Sequence, residues 1–255
     1  MSLFEELIED REGDEKIVKS FETKDTLCSL IFHRPTLKMK EDVRKRLLQI
    51  SDDFIESLGV EFFIHDIVLT GSLANFNWSE YSDVDLHIII DYDDIKGNDG
   101  SKSFMNIIKE FFDAKKNIWN EKHDIKIKGF DVELYVQDIN EPHISSGVYS
   151  VLNDEWIIEP KKETPNIDDR KILEKGEEFA KKIDNLVSKS DNENVLPQIE
   201  ELRKKIKKFR QSGLESGGEY SYENLTFKLL RRNGYMKKLL DLKNNITDKK
   251  LSITQ

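Results

Sequence analysis

The sequence predicts an α+β protein, in which a domain with a mixed β-sheet and flanking helices precedes an α-helical domain. Segments typical of strands alternate with amphipathic helices up to about residue 160, and helical periodicity follows. A polar segment that contains Pro160 and Pro165 separates the two patterns. We therefore expect a first domain at residues 1–160, which begins with an N-terminal arm at 1–35, and a helical domain at 161–255.

The first elements of the chain follow from hydrophobic spacing. Apolar residues between Val43 and Leu58 recur at three- and four-residue intervals, which predicts an amphipathic helix that ends at Gly59. Two segments rich in β-branched and aromatic residues come next, and they predict strands at 62–70 and 84–91.

The remaining elements of the first domain are a helix and further strands. A turn-rich stretch at 97–100 leads to a helix whose apolar positions lie within 104–118. Alternating apolar and polar residues then predict a strand at 130–137, and one or two short strands are expected within 148–158.

Three amphipathic helices are predicted in the second half, with apolar positions within 172–186, 199–209 and 225–239. Residues 198–243 carry 12 Lys and Arg against 6 Asp and Glu, although the whole chain has a formal net charge of −10. A basic segment on an acidic chain can face a polyanion, but a solvated, lysine-rich helix face is the simpler interpretation.

Composition excludes several classes of protein. Cys28 is the one cysteine, so an internal disulfide framework and a cysteine-ligated zinc site are excluded. The apolar runs are too short to cross a bilayer, and the N-terminal residues lack the apolar stretch of a signal peptide. We expect a cytoplasmic protein with no membrane partner.

The segment from Leu69 to Asp91 carries the chemistry. Gly71 and Ser72 are followed by Asp83 and Asp85, and residues two apart on a strand share a face. Two neighbouring carboxylates repel each other unless a cation lies between them, and Mg²⁺ binds carboxylate and phosphate oxygens. Gly71 permits close backbone approach, and Ser72 offers a backbone N–H and a hydroxyl that could hold a phosphate.

A third acid is expected from a neighbouring strand. Asp131 and Glu133 share one face of the strand predicted at 130–137. We prefer Glu133, because it lies nearer the middle of the strand, where its position is better fixed. Asp131 is the alternative.

These residues together resemble the signature of the DNA polymerase beta-type nucleotidyltransferases. That signature is an apolar residue, Gly-Ser, about ten residues, Asp-x-Asp between apolar residues, and a later strand with a third acid. It is matched over roughly residues 40–140 by Gly71, Ser72, Asp83, Asp85 and Glu133. The run around these residues is also similar to nucleotidyltransferases encoded by large bacteriophages, which would place the protein in the cytoplasm of a bacterial host.

The resemblance implies transfer of a nucleoside monophosphate from an NTP, such as ATP, to a hydroxyl of RNA, protein or a small molecule, with release of pyrophosphate. Asp83, Asp85 and Glu133 would bind two Mg²⁺ ions, for which Mn²⁺ could substitute, and Glu133 would also take the proton of the hydroxyl. The Gly71-Ser72 pair would hold the outer phosphates.

The basic residues of the helical half are expected to meet the triphosphate or an RNA backbone. Lys228, Arg231 and Arg232 are three and four residues apart and can share one helix face. We predict that the helical domain forms one wall of the active cleft, with at least one of these side chains facing Asp83 and Asp85. A solvated helix end in a domain used for dimerisation is the alternative.

Two other functions are alternatives to nucleotidyl transfer. The first is an inactive nucleotide-binding or structural module that retains the nucleotidyltransferase fold, although the presence of all three acids speaks against it. The second is a metal-dependent glycosyltransferase, whose Asp-x-Asp chemistry does not require Gly-Ser upstream. The sequence itself names neither the NTP, the acceptor nor the oligomeric state.

Overall fold

The computed structural model describes residues 3–60, 62–95, 101–141, 145–190 and 195–253. It divides the chain into two compact units. We call Thr23–Thr164 the sheet unit, and Met1–Glu22 together with Pro165–Gln255 the helical unit. The predicted α+β class is confirmed, because a mixed six-stranded sheet with helices is followed by helices in the described part of the chain. The turn expected at 97–100 lies outside the described residues.

The sheet unit contains two α-helices and six strands among its described residues. Their bounds are α2 Glu41–Leu58, β1 Ile64–Thr70, β2 Val84–Ile90, α3 Lys102–Lys122, β3 Lys126–Ile127, β4 Phe130–Asp138, β5 Val148–Ser150 and β6 Glu155–Ile158. The strand order is β3-β4-β2-β1-β5-β6. The β2–β4 pair is parallel and the other pairs are antiparallel, so the sheet is mixed.

Side-chain alternation decides which face of β2 enters the core. Val84, Leu86, Ile88 and Ile90 are buried, and α2 buries its predicted apolar stripe in the same core cluster. Asp85 and His87, which lie between them on β2, are only partly buried, whereas Ile89 is buried in a separate small cluster with Val68 and Val148. The hydrophobic pattern therefore directs the polar side chains of β2 to the opposite face of the sheet.

The helical unit contains five α-helices among its described residues. Their bounds are α1 Leu3–Lys19, α4 Asp169–Val187, α5 Leu196–Gly217, α6 Tyr222–Arg232 and α7 Tyr235–Leu251. Residues such as Phe179, Ile206 and Leu239 form its core. Helix α1 packs on α4 and α6, so the structure groups it with the helical unit, whereas residues 1–35 are predicted from the sequence to belong to the first domain. None of the described helices has the length and apolar character needed to cross a bilayer.

The single helix predicted across 225–239 is wrong, because the structure has two helices there. Helix α6 ends at Arg232, and α7 begins at Tyr235. Gly234 lies between them with φ 84°, a left-handed conformation that is inexpensive for glycine and incompatible with a continuous helix. The apolar spacing continues across this break, so periodicity alone could not reveal it.

Candidate active site

The turn after β1 requires glycine at position 71. Gly71 has φ 71° and ψ −161°, a backbone region that is essentially restricted to glycine. A Cβ atom at this position would lie 1.8 Å from Oδ2 of Asp85. The absence of a side chain at Gly71 therefore lets the Asp85 carboxylate lie directly against the turn.

The hydroxyl of Ser72 is held by the residue that precedes Asp83. Ser72 Oγ donates to Ser82 Oγ at 2.7 Å, and Ser82 Oγ accepts from Ser79 N at 2.9 Å. Ser82 is buried. These bonds join the two ends of the loop between β1 and β2, so they fix the Gly-Ser turn relative to the start of β2.

Asn75 stabilises the same turn through hydrogen bonds from its buried side chain. The buried Asn75 side chain donates from Nδ2 to Gly71 O at 2.8 Å and to Ser145 Oγ at 3.3 Å. Its Oδ1 accepts from Ser146 Oγ at 2.9 Å. A Cβ on Gly147 would lie 2.2 Å from Ala74 O, so the segment before β5 also packs closely against the turn.

Strand register brings the turn and two of the predicted acids together. In the antiparallel β1–β2 pair Thr70 lies opposite Asp85, and in the parallel β2–β4 pair Asp85 lies opposite Glu133. Neighbouring strands are about 4.8 Å apart, and paired residues project to the same face. Asp83 precedes β2 by one residue, so the three acids and Gly71 are placed at one end of three adjacent strands.

The two candidates for the third acid have different partners. Asp131 is exposed and forms an ion pair with Lys126 on β3, and this bond is the first cause of the raised pKa of Lys126. Glu133 instead accepts a hydrogen bond at Oε2 from the hydroxyl of Tyr135. Asp131 is thus engaged with the edge strand, whereas Glu133 remains beside Asp85.

Tyr135 also belongs to this site, although it was not predicted from the sequence. Its ring stacks on His87 with centroids 4.8 Å apart, and Lys116 Nζ lies 4.5 Å from its centroid. Burial raises the pKa of Tyr135, and the charges of Glu133, Asp85 and Asp83 raise it further. The signal was present in the sequence, because Tyr135 lies two positions after Glu133 and so shares its strand face.

The donor set fits a hard divalent cation. Asp83, Asp85 and Glu133 offer only carboxylate oxygens, which Mg²⁺ and Mn²⁺ prefer. The turn at Gly71 brings a backbone without a side chain against the Asp85 carboxylate. The site is therefore chemically suited to a metal ion that also binds the phosphates of a substrate.

A second group of possible metal ligands lies elsewhere in the sheet unit. Ligand atoms of His65, Asp91 and Asp94 all lie within 4.8 Å of one another, and His65 Nε2 is 3.7 Å from Asp94 Oδ2. This group is at the other end of β1 and β2, roughly 15 Å along the strands from Asp85. It is therefore separate from the Gly71–Asp85 site.

The predicted basic residues have three different environments within the helical unit. Arg231 is exposed, whereas Lys228 is partly buried, and burial lowers its pKa. The guanidinium of Arg232 lies 5.0 Å from the ring centroid of Phe21 and donates to Ser20 Oγ at 2.8 Å. Arg232 thus ties α6 to the residues after α1, and the orientation of Lys228 and Arg231 toward the acids stays a prediction.

Comparison with known proteins yields one weak likeness. No protein-family model and no curated protein sequence matches the chain. Among solved structures, the chain is similar to a STING-associated CdnE c-di-GMP synthase from Capnocytophaga granulosa, with 13% identity, coverage of 83% of this chain and 84% of that chain, and a TM-score of 0.25. This TM-score is too low to support an argument about fold or activity.

Proposed function

We propose that the protein is a metal-dependent nucleotidyltransferase of the polymerase beta type, which transfers a nucleoside monophosphate from an NTP to a hydroxyl and releases pyrophosphate. The observation that carries this proposal is the register that places the Gly71 turn, Asp85 and Glu133 on three adjacent strands. The contact between Gly71 and Asp85 adds to it, because it gives the glycine of the Gly-Ser pair a specific structural role.

In this proposal Asp83, Asp85 and Glu133 hold two Mg²⁺ ions, or Mn²⁺ in their place. When bound, such ions supply Lewis-acid chemistry to the α-phosphate and to the attacking hydroxyl. The Gly71 and Ser72 backbone binds the outer phosphates, and the Ser72 hydroxyl joins it when its proton turns from Ser82 to a phosphate oxygen. The carboxylate of Glu133 accepts the proton as the new O–P bond forms and pyrophosphate leaves with the electrons of the broken bond.

We propose that Lys228 and Arg231 in the helical unit bind phosphate by neutralising its charge. Burial lowers the pKa of Lys228, and the charges of Arg232, Arg231 and Arg210 lower it further, whereas Glu219 raises it. An anion bound beside these cations would relieve their mutual repulsion. RNA, a protein and a small molecule all remain candidates for the acceptor, and a cytoplasmic location is part of the same proposal.

The test is turnover of each α-labelled NTP with Mg²⁺ or Mn²⁺ in the presence of an RNA and protein extract. Pyrophosphate should be released, and label should enter one fraction. Asp83→Asn and Asp85→Asn should each lower turnover at least about 100-fold, because a charged group that acts in the transition state is lost. Both variants should retain the wild-type circular dichroism spectrum.

Asp94→Asn is the matched control, since Asp94 belongs to the separate acidic group on the same sheet. The NTP turnover of Asp94→Asn should equal that of the wild type. Full activity in Asp83→Asn and Asp85→Asn would contradict the assigned site. Tight NTP binding without turnover in the wild type would instead indicate an inactive nucleotide-binding module.

A further inference from the structure

We propose that Tyr135 is a positioning residue that orients the Glu133 carboxylate for metal binding. The inference rests on the proposed function, and it assigns a role to a side chain outside the Gly-Ser and acidic signature. Tyr135 and Glu133 are two positions apart on β4, so both project from the same face of the sheet. The Tyr135 hydroxyl donates to Glu133 Oε2, which leaves Oε1 as the oxygen that can bind a metal ion.

The hydrogen bond can orient Glu133 only if the tyrosine ring is itself fixed. His87 on β2 stacks on the ring at an interplanar angle of 22°, and the register of the parallel β2–β4 pair places the two residues opposite each other. Lys116 from α3 places its ammonium over the same ring. Two separate elements, β2 and α3, therefore restrain the ring of Tyr135.

His87 is fixed in turn by a short polar chain. Gln137 Nε2 donates to Glu141 O at 3.2 Å, which directs Gln137 Oε1 toward His87 Nδ1 at 2.9 Å. An amide oxygen only accepts hydrogen bonds, so Nδ1 of His87 carries the proton. These two hydrogen bonds, from Gln137 to Glu141 and from His87 to Gln137, hold the imidazole in the plane on which Tyr135 stacks.

An ordered carboxylate binds a metal ion more tightly than a mobile one, because less conformational freedom is lost on binding. Partners that hydrogen-bond metal ligands typically contribute a factor of about 10 to 100 in metal affinity or activity. For Glu133 this hydrogen-bonding partner is the hydroxyl of Tyr135. Its removal should weaken metal binding while the nucleotide contacts made by the Gly71 turn remain.

The experiment compares wild type with Tyr135→Phe, which removes the hydroxyl and retains the ring. Mn²⁺ is titrated in the presence of a non-hydrolysable NTP analogue, and free Mn²⁺ is followed by electron paramagnetic resonance. We expect the Kd for Mn²⁺ to rise about 10-fold. In turnover assays the metal concentration for half-maximal rate should rise by a similar factor, whereas kcat at saturating Mn²⁺ should stay within about threefold of wild type.

Tyr149→Phe is the matched control, because Tyr149 is a buried tyrosine of the same unit whose hydroxyl also donates to a carboxylate, Asp154 Oδ1 at 2.7 Å. It should leave Mn²⁺ binding unchanged. His87→Leu provides a second variant, since it removes the stacked imidazole but keeps the Tyr135 hydroxyl, and it should raise the Kd by a smaller factor. Circular dichroism establishes that each variant is folded.

The outcomes separate this inference from the proposed function. If Tyr135→Phe and His87→Leu bind Mn²⁺ like the wild type while Asp83→Asn does not, the positioning role is wrong and the metal site stands. If the wild type turns over no NTP but Tyr135→Phe still weakens Mn²⁺ binding, the proposed reaction fails and the inference holds. A wild type that does not bind Mn²⁺ would overturn both.

Discussion

At the scale of single residues, Gly71 is the most constrained position of the site. Gly71→Ala imposes two costs, namely a backbone conformation that L side chains avoid and a Cβ atom that overlaps Asp85 Oδ2. We expect the first to cost about 1–3 kcal/mol of unfolding free energy, and the overlap to add about 1–3 kcal/mol. Denaturant unfolding followed by circular dichroism measures the sum, and NTP turnover should be lost because Asp85 is displaced.

Gly218 offers a control that separates the two costs. Its dihedral angles, φ 67° and ψ −156°, nearly repeat those of Gly71, but a Cβ there would have no atom within 4 Å. Gly218→Ala should therefore show the backbone cost alone and keep NTP turnover. Equal destabilisation by the two substitutions, with activity retained in both, would mean that the contact with Asp85 has no energetic importance.

At the scale of elements, the Gly-Ser turn depends on the hydrogen bonds of Asn75, which the sequence pattern does not predict. Asn75→Ala removes the hydrogen bonds that this buried side chain makes to Gly71 O and to the segment before β5. We expect a loss of about 1–3 kcal/mol in unfolding free energy, together with a higher KM for NTP because the turn moves. Isothermal calorimetry with the NTP analogue and steady-state kinetics measure the second effect.

Asn233→Ala is the corresponding control in the helical unit. Asn233 also uses its side-chain amide, donating to Asp14 and accepting from the backbone of Tyr235. Its loss should lower stability without changing the KM for NTP. An unchanged KM for NTP in Asn75→Ala would show that the turn keeps its shape without the Asn75 hydrogen bonds.

The elements that the sequence predicted well are those whose pattern is local. Helix α2 and strand β2 carry an apolar period of their own, so their burial could be read directly from spacing. Strand β3 has two residues and no such period, and it was not predicted. Local pattern likewise does not distinguish Asp131 from Glu133, because the two side chains share one face of β4. They differ in their strand-pairing partners and in the ion pair of Asp131 with Lys126.

At the scale of the whole molecule, the two units have separate cores that can be probed independently. Trp78, Trp119 and Trp156 all lie in the sheet unit, so tryptophan fluorescence reports on that unit alone. Deletion of residues 1–22 removes Val18 and Phe21 from the helical unit, at about 1.5–3 kcal/mol for each buried side chain. We expect a lower unfolding midpoint by circular dichroism and an unchanged midpoint by tryptophan fluorescence.

Leu86→Ala is the reciprocal variant, since Leu86 is fully buried in the core of the sheet unit. It should lower the fluorescence midpoint, at a cost of about 2–5 kcal/mol. Parallel shifts of both signals in either variant would show that the chain unfolds as one cooperative body.

The grouping of both chain ends in the helical unit has a consequence for how the protein is made. Helix α1 packs on α4, but α4 is translated roughly 150 residues after α1. At ordinary rates of synthesis that interval is on the order of ten seconds. During this time the apolar side of α1 has no native partner, while the sheet unit can already fold. Until α4 is translated, the nascent chain therefore carries a helix whose apolar side is exposed to water, which is a surface prone to aggregation.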